Sequence, residues 1–157
     1  MKKKRVVIIS LLLLLVSVIG IGSYFLFKDK INLLDVDHSA VDWNGKKQKD
    51  TSGEENTIAI PGFEKVTLYA NETTQAVNFH NPEINDCYFK ISLIHPDGSV
   101  LWISDLIEPG KGMYSIELEK TLAVGEYENA VLKYECFSLN DQSPLNGSEI
   151  NLKLVVV

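Results

Sequence analysis

The sequence has 157 residues, 45% apolar and 23% charged, a size that suits one domain with an appendage and excludes a large multi-domain enzyme. Charge divides the chain into two parts. Five basic and no acidic residues lie before residue 29, whereas residues 29–157 carry ten basic and all 21 acidic side chains, a net charge of −11. Such a domain repels nucleic-acid phosphates, so we expect no nucleic-acid partner.

The amino terminus has the order of a membrane signal-anchor. A basic tail at residues 1–5 precedes an apolar stretch from Val6 to Phe27, which Lys28 follows. At ~1.5 Å per helical residue the 22 positions of this stretch reach about 33 Å, enough to cross a hydrocarbon core of ~30 Å. We therefore predict a cytoplasmic tail at 1–5, a transmembrane helix at 6–28 and an extracytoplasmic carboxy-terminal domain, because basic flanks stay cytoplasmic.

A cleaved secretory signal is the alternative for the same stretch. Gly20, Gly22 and Ser23 supply small residues near a potential cleavage site. The apolar stretch continues past them and contains no Ala-x-Ala, which favours a retained anchor in the cell membrane. Both alternatives place the domain outside the cytoplasm. Cleavage would release it as a secreted protein.

Residues 29–56 are polar and weakly patterned, and we predict a flexible stalk there. Few apolar side chains are available to offset the entropy of ordering. The stretch Leu33 to Val36 and Trp43 are the exceptions. They could instead dock on the domain or extend the membrane helix by a turn.

From residue 57 onward, short β-branched and aromatic runs alternate with turn residues at spacings of about 8 to 12, the pattern of an antiparallel sandwich or barrel. The domain at 57–157 is therefore predicted to be all-β. The predicted strands are 57–60, 65–70, 75–80, 87–94, 100–107, 113–119, 127–139 and 149–157. The last of them ends the chain on three valines, which predicts that the terminus is paired in a sheet.

Alternation places both cysteines of the chain towards the core. Cys87 shares a face with Phe89, Ile91 and Leu93. In the strand 127–139, the inward face that contains Cys136 also has Ala130, Leu132 and Tyr134. The two cysteines could form a disulfide, worth about 3–4 kcal/mol by the chain-entropy argument. Two buried free thiols packed as small hydrophobes are the equal alternative.

Tyr127 follows a turn at Gly125, just inside the longest predicted strand. A tyrosine in this position can return its hydroxyl to the upstream backbone, which is the tyrosine corner of immunoglobulin-like sandwiches. Trp102 lies in a strand that is apolar on both faces. Such a strand is either buried on two sides, which we expect, or exposes an apolar patch.

A set of turn and core motifs resembles a family. The motifs are Ile60-Pro61-Gly62-Phe63, Asn81-Pro82 before Cys87-Tyr88-Phe89, Asp97-Gly98, Pro109-Gly110, Gly125-x-Tyr127 and Leu145-Asn146-Gly147. Together they resemble a group of small, largely uncharacterised membrane-anchored proteins of Gram-positive bacteria that are often associated with mobile or conjugative elements. The resemblance covers about residues 57–157 and implies an immunoglobulin-like β-sandwich of seven to eight strands at a bacterial surface. It implies no catalytic residues.

Residues that could carry chemistry are few. His38, His80 and His95 have no metal-binding spacing, and the sequence contains neither Gly-x-Ser-x-Gly nor Gly-x-Gly-x-x-Gly. Oxygen-bearing side chains at 81–86 and Asp97 suggest weak calcium binding, but turn formation explains them better. We therefore expect no enzyme activity, no metal and no cofactor.

The predicted function is a membrane-anchored extracytoplasmic module that binds another protein of the cell envelope or of a conjugation or secretion assembly. The alternative is an accessory domain that binds carbohydrate or cell-wall polymer. Tyr88, Trp102 and Tyr114 are the aromatic side chains that would contact such a ligand if they are exposed.

Overall fold

The computed structural model describes residues 33–45 and 57–157, and within them every regular element is a β-strand. Among these residues none belongs to a helix of the length and apolarity that a membrane crossing requires. The predicted basic tail, transmembrane helix and part of the predicted stalk lie outside the described residues. The strands are β1 (Val41–Asp42), β2 (Lys65–Leu68), β3 (Thr74–His80), β4 (Cys87–Ile94), β5 (Val100–Ile103), β6 (Lys111–Glu117), β7 (Gly125–Ser138) and β8 (Pro144–Val156).

The strands form two sheets, with the arrangement of a β-sandwich. A five-stranded sheet has the order β2-β8-β7-β4-β5, and a three-stranded sheet has the order β1-β6-β3. The pairings are antiparallel except that of β2 with β8, which is parallel, so the prediction of a purely antiparallel fold is wrong at that edge. Hydrophobic alternation reports which face of a strand is buried and carries no information on the direction of its neighbour.

One apolar core lies between the sheets. The five-stranded sheet contributes Phe89, Ile91, Leu132 and Leu154, and the three-stranded sheet contributes Phe79, Met113 and Ile116. The predicted inward face of β4 is confirmed, since its four members are at most 1% exposed. Burial of this kind contributes roughly 1.5–3 kcal/mol for each large apolar side chain.

Most predicted strands are present with shifted ends. β4 has the predicted bounds, and β8 pairs with β2 up to Val156, which confirms that the terminus is held in a sheet. No strand forms at 57–60, although Ala59 there is fully buried. β5 ends at Ile103. Directly after it, the Ser104 side-chain hydroxyl accepts the Ile91 N–H at 2.8 Å, a bond that a main-chain carbonyl oxygen would accept if the strand continued.

The β-structured unit begins at Leu34, well before the predicted boundary at residue 57. Of the predicted stalk, residues 34–45 belong to this unit, and they lie along the sandwich. We call them the strap. Their contacts correspond to the docking alternative for Leu34, Val36 and Trp43 rather than to a free linker.

Candidate functional site: the strap and the Trp43 cleft

The strap is bound to the sandwich by main-chain hydrogen bonds along its length. Val36 forms a parallel bridge with Leu106, whose N–H donates to the Asp35 carbonyl oxygen at 2.9 Å. Further along, β1 pairs antiparallel with the first residues of β6, and the Trp43 N–H donates to the Gly110 carbonyl oxygen at 2.9 Å. Such repeated pairing makes the strap an edge element of the domain.

The Trp43 side chain anchors the carboxy-terminal end of the strap. Its ring stacks on His80 with centroids 3.8 Å apart and planes 9° apart, and its Nε1–H donates to Asn78 Oδ1 at 2.7 Å. To reach these partners in β3, the indole crosses β6 at Gly112. A Cβ at position 112 would lie 2.8 Å from Trp43 Cδ1 and 2.9 Å from the Phe79 carbonyl oxygen, so only glycine leaves room.

Two polar contacts flank the indole. The Tyr114 hydroxyl accepts the Asn44 N–H and donates to Asn44 Oδ1, both at 2.9 Å. Lys111 Nζ lies 2.6 Å from Asp42 Oδ1, and this hydrogen-bonded ion pair lowers the pKa of Asp42 and raises the pKa of Lys111. Because the pair is exposed, it contributes more to the orientation of the two side chains than to stability.

Three side-chain amides each form two hydrogen bonds with the main chain of a single residue, one to its N–H and one to its carbonyl oxygen. The Gln142 amide accepts the Leu34 N–H at 2.6 Å and donates to the Leu34 carbonyl oxygen at 3.0 Å. Gln75 holds Tyr69 in the same way, and Asn85 holds Ala59. An amide used like this takes the place of a neighbouring strand, so Leu34 and Ala59 are fixed without belonging to a sheet.

The same use of amides explains the polar residues of the β3–β4 loop. Asn85 Oδ1 accepts from Ala59, and Asn81 Oδ1 accepts from Asn85 Nδ2 at 2.9 Å. Both side chains are buried, and Asn81 Nδ2 donates to the carbonyl oxygens of Cys87 and Ile107. These residues therefore shape the loop. Within the described ranges no group of three His, Cys, Asp or Glu side chains is arranged to hold a metal ion.

A cleft opens where the strap meets the β3–β4 loop, and we call it the Trp43 cleft. Its volume is about 490 Å³. Its walls come from the strap, from the β3–β4 loop and from the turn before β6: Asp42, Trp43, Asn44, Gly45, His80, Pro82, Glu83, Ile84, Pro109 and Gly110. The Ile84 side chain is 66% exposed and places an apolar group at the rim. The cleft thus combines apolar and carboxylate groups.

The two cysteines lie side by side in the core as free thiols. They lie on the neighbouring strands β4 and β7 but are not directly opposite each other. Cys87 is opposite Ser138, and Cys136 is opposite Phe89. The hydrogen bond to Cys87 and burial raise the pKa of the Cys136 thiol. Of the two alternatives for this pair, the structure has the one in which the thiols pack as small hydrophobes.

The predicted aromatic residues have different environments. The Tyr127 hydroxyl donates to the Ala123 carbonyl oxygen at 2.9 Å, which is the upstream backbone contact that a tyrosine corner makes. Trp102 is 8% exposed and its ring lies 5.8 Å from that of Phe79, so it is a core residue and not a surface aromatic. Tyr88 is half-buried, and Tyr114 is exposed on the outer face of β6.

Two side chains of the Trp43 cleft have no predicted binding role. Glu83 is predicted only as a turn residue, and no role is predicted for Ile84. Gly112 is the sequence sign that could have located the site. It lies one residue before the predicted strand 113–119, and the structure includes it in β6, where a glycine often marks a close approach by another group.

Comparison with known proteins returns no relative. The sequence matches no family model, no curated protein and no solved structure. The resemblance to small membrane-anchored proteins of Gram-positive bacteria therefore stays a prediction.

Proposed function

We propose that this protein is a membrane-anchored extracytoplasmic interaction module without catalytic activity, an accessory of a cell-envelope or conjugation or secretion assembly. The order of the sequence supports the anchor, since a basic tail and a 22-residue apolar stretch precede the acidic residues. The two-sheet fold and the Tyr127 contact support an immunoglobulin-like type. The Gram-positive setting rests on the motif resemblance alone.

The Trp43 cleft is the observation that carries the interaction role. Hydrogen bonds hold both of its sides. The strap on one side is paired with β6, and the β3–β4 loop on the other is held by the buried Asn81 and Asn85 amides. A cleft whose walls are held before a ligand arrives costs less ordering on binding, which supports a docking role for it.

Site-specific photocrosslinking in intact cells tests the role. A photoreactive amino acid at position 84 of the full chain should give a light-dependent adduct with a defined protein. Val124 is the matched control, because it is 72% exposed and lies at the far end of β7 from the β3–β4 loop. It precedes the first residue of β7, whereas the last residue of β7 pairs with the first residue of β4, directly after that loop. The proposal fails if position 84 gives no adduct, or only the adducts that position 124 gives.

Protease added to intact cells tests the orientation separately. The proposed topology requires residues 34–157 to be digested in intact cells. Protection in intact cells and digestion after lysis would place the domain in the cytoplasm and contradict the surface role. The mass of the recovered protein would distinguish a retained anchor from a cleaved signal.

Carbohydrate or wall-polymer binding is the second candidate, and Tyr114 favours it. With Trp102 in the core, the half-buried Tyr88 and the 37% exposed Tyr114 remain of the three predicted aromatics. Tyr114 shares the outer face of the three-stranded sheet with Trp43. Sugar rings stack on such aromatic faces. Retention of the full chain on purified cell wall, lost on Tyr114→Ala, would support this candidate, and absence of retention would remove it.

A further inference from the structure

We infer that the Trp43 cleft binds a lysine or arginine side chain on an extended segment of the protein partner. This inference rests on the proposed interaction role and names the chemistry of the partner. It follows from the charge of the cleft, from its apolar walls and from the way in which its polar groups are already used.

The charge of the cleft favours a cation. Glu83 supplies a carboxylate to its walls, whereas the other lining carboxylate, Asp42, is already neutralised by its ion pair with Lys111. Within the described part of the chain no lysine or arginine pairs with Glu83. Residues 29–157 have a net charge of −11, so long-range attraction adds to the local preference for a basic partner.

The apolar walls suit the stem of the same side chain. Pro82, Ile84 and Pro109 line the cleft together with the indole of Trp43. Lysine and arginine have a methylene stem that packs on apolar surface and a charged head that reaches a carboxylate. An arginine head also stacks on aromatic rings. A small cation without a stem would leave these apolar walls uncovered.

Two donors and one acceptor at the indole end of the cleft are already used within the protein, which leaves fewer hydrogen-bonding groups for a neutral sugar. Asn44 already uses its N–H and its Oδ1 on the Tyr114 hydroxyl. The Trp43 Nε1–H is donated to Asn78. The remaining carboxylate of Glu83 is an acceptor for a charged donor. The volume of about 490 Å³ lies within the ~300–1,000 Å³ of ligand pockets and accommodates one such side chain with part of its backbone.

Peptide binding to the full chain in detergent micelles tests the inference. The probe is a fluorescent peptide of alternating arginine and glycine, and its glutamate-glycine analogue is the negative probe. We expect Glu83→Gln to weaken arginine-peptide binding at least fivefold and Ile84→Ser at least threefold. Both side chains are exposed, so neither substitution should unfold the domain.

Glu119→Gln is the matched control. Glu119 is exposed, lies beside β5 through its N–H bond to Leu101, and gives the same change in net charge. Its binding should stay within twofold of wild type. Equal weakening by Glu83→Gln and Glu119→Gln would show diffuse attraction by the acidic domain and would overturn the inference.

Three other results would also overturn it. The first is no binding of the arginine peptide to the wild-type chain. The second is displacement of the peptide by N-acetylglucosamine oligomers, which would assign the cleft to a glycan. The third is binding only after replacement of Lys46, Lys47 and Lys49 by glutamine, which would assign the cleft to the chain's own lysines.

Photocrosslinking separates this inference from the proposed function. A photoadduct at position 84 that persists in Glu83→Gln cells would leave the interaction role in place and reject the cationic partner. Loss of that adduct in Glu83→Gln cells, with Glu119→Gln cells unaffected, would support both.

Discussion

Replacement of Trp43 by alanine tests whether the strap is part of the folded domain. The substitution removes the stack on His80, the hydrogen bond to Asn78 and the partly buried indole that crosses β6. The remaining strap contacts, including the Gln142 amide on Leu34, are unchanged. The expected effect is a loss of stability together with release of the carboxy-terminal part of the strap.

The magnitude follows from these contacts. An aromatic stack contributes about 1 kcal/mol beyond area burial, and a hydrogen bond about 1 kcal/mol. Exposure of the half-buried indole costs about 1 kcal/mol more. We therefore expect the free energy of unfolding to fall by about 3 kcal/mol, which for a domain of this size lowers Tm by about 10 °C.

Urea unfolding of the full chain in detergent provides the measurement. Trp102 is the other tryptophan of the chain and is buried, so its fluorescence reports the unfolding of the core in the Trp43→Ala variant. Trp43→Phe is the control that keeps an aromatic stack and loses the donor, and it should cost about 1 kcal/mol. A loss below about 0.5 kcal/mol in Trp43→Ala, the range of ordinary surface substitutions, would refute the reasoning.

Further predictions concern a glycine, a turn carboxylate and the thiols. Gly147→Ala should lower the free energy of unfolding by about 2 kcal/mol in the same urea assay, because its Cβ would lie 2.2 Å from the Tyr134 carbonyl oxygen, whereas Gly62→Ala, with no atom within 4 Å of the new Cβ, should have little effect. Hydrogen bonding to Ser99, whose N–H donates to Asp97 Oδ1 at 2.8 Å, holds the pKa of Asp97 well below its usual value near 3.8. The carboxylate therefore stabilises the fold fully above about pH 4 and progressively less as the pH falls further. The urea midpoint of wild type should therefore approach that of Asp97→Asn in acid, and a constant difference down to about pH 2 would contradict this assignment. Both cysteines should resist alkylation in the native chain and react in urea, as read by mass; a mass two hydrogens below that of the dithiol would show a disulfide instead.

Local alternation was sufficient to find most of the strands. In β4 the side chains Cys87, Phe89, Ile91 and Leu93 alternate with polar or half-exposed ones, and the structure buries all four. The two faces of an extended strand follow from the geometry of successive residues, so the pattern can be read without knowledge of the partner. The same reasoning correctly placed Ala130, Leu132, Tyr134 and Cys136 towards the core.

Prediction failed where a side chain replaced a strand. The apolar stretch at 57–60 has strand composition, yet Ala59 is held by the Asn85 amide and not by a neighbouring strand. β5 is shorter than predicted because Ser104 bonds to the Ile91 main chain through both its hydroxyl and its N–H. Nothing in either local sequence shows that a distant amide or a nearby hydroxyl competes for the same backbone groups.

The sequence by itself determined the positions of most strands, the inward faces of β4 and β7, and the separation of a basic, apolar amino terminus from an acidic domain, because these depend on neighbouring residues and on composition. Only the tertiary structure decided that the strap docks, that β2 runs parallel to β8 and that the Trp43 cleft exists. Each of those depends on contacts between residues far apart in the chain, such as Leu34 with Gln142 and Trp43 with Asn78, separated by 108 and 35 positions. Periodicity is a property of a few consecutive residues, whereas such contacts are selected by the packing free energy of the whole domain.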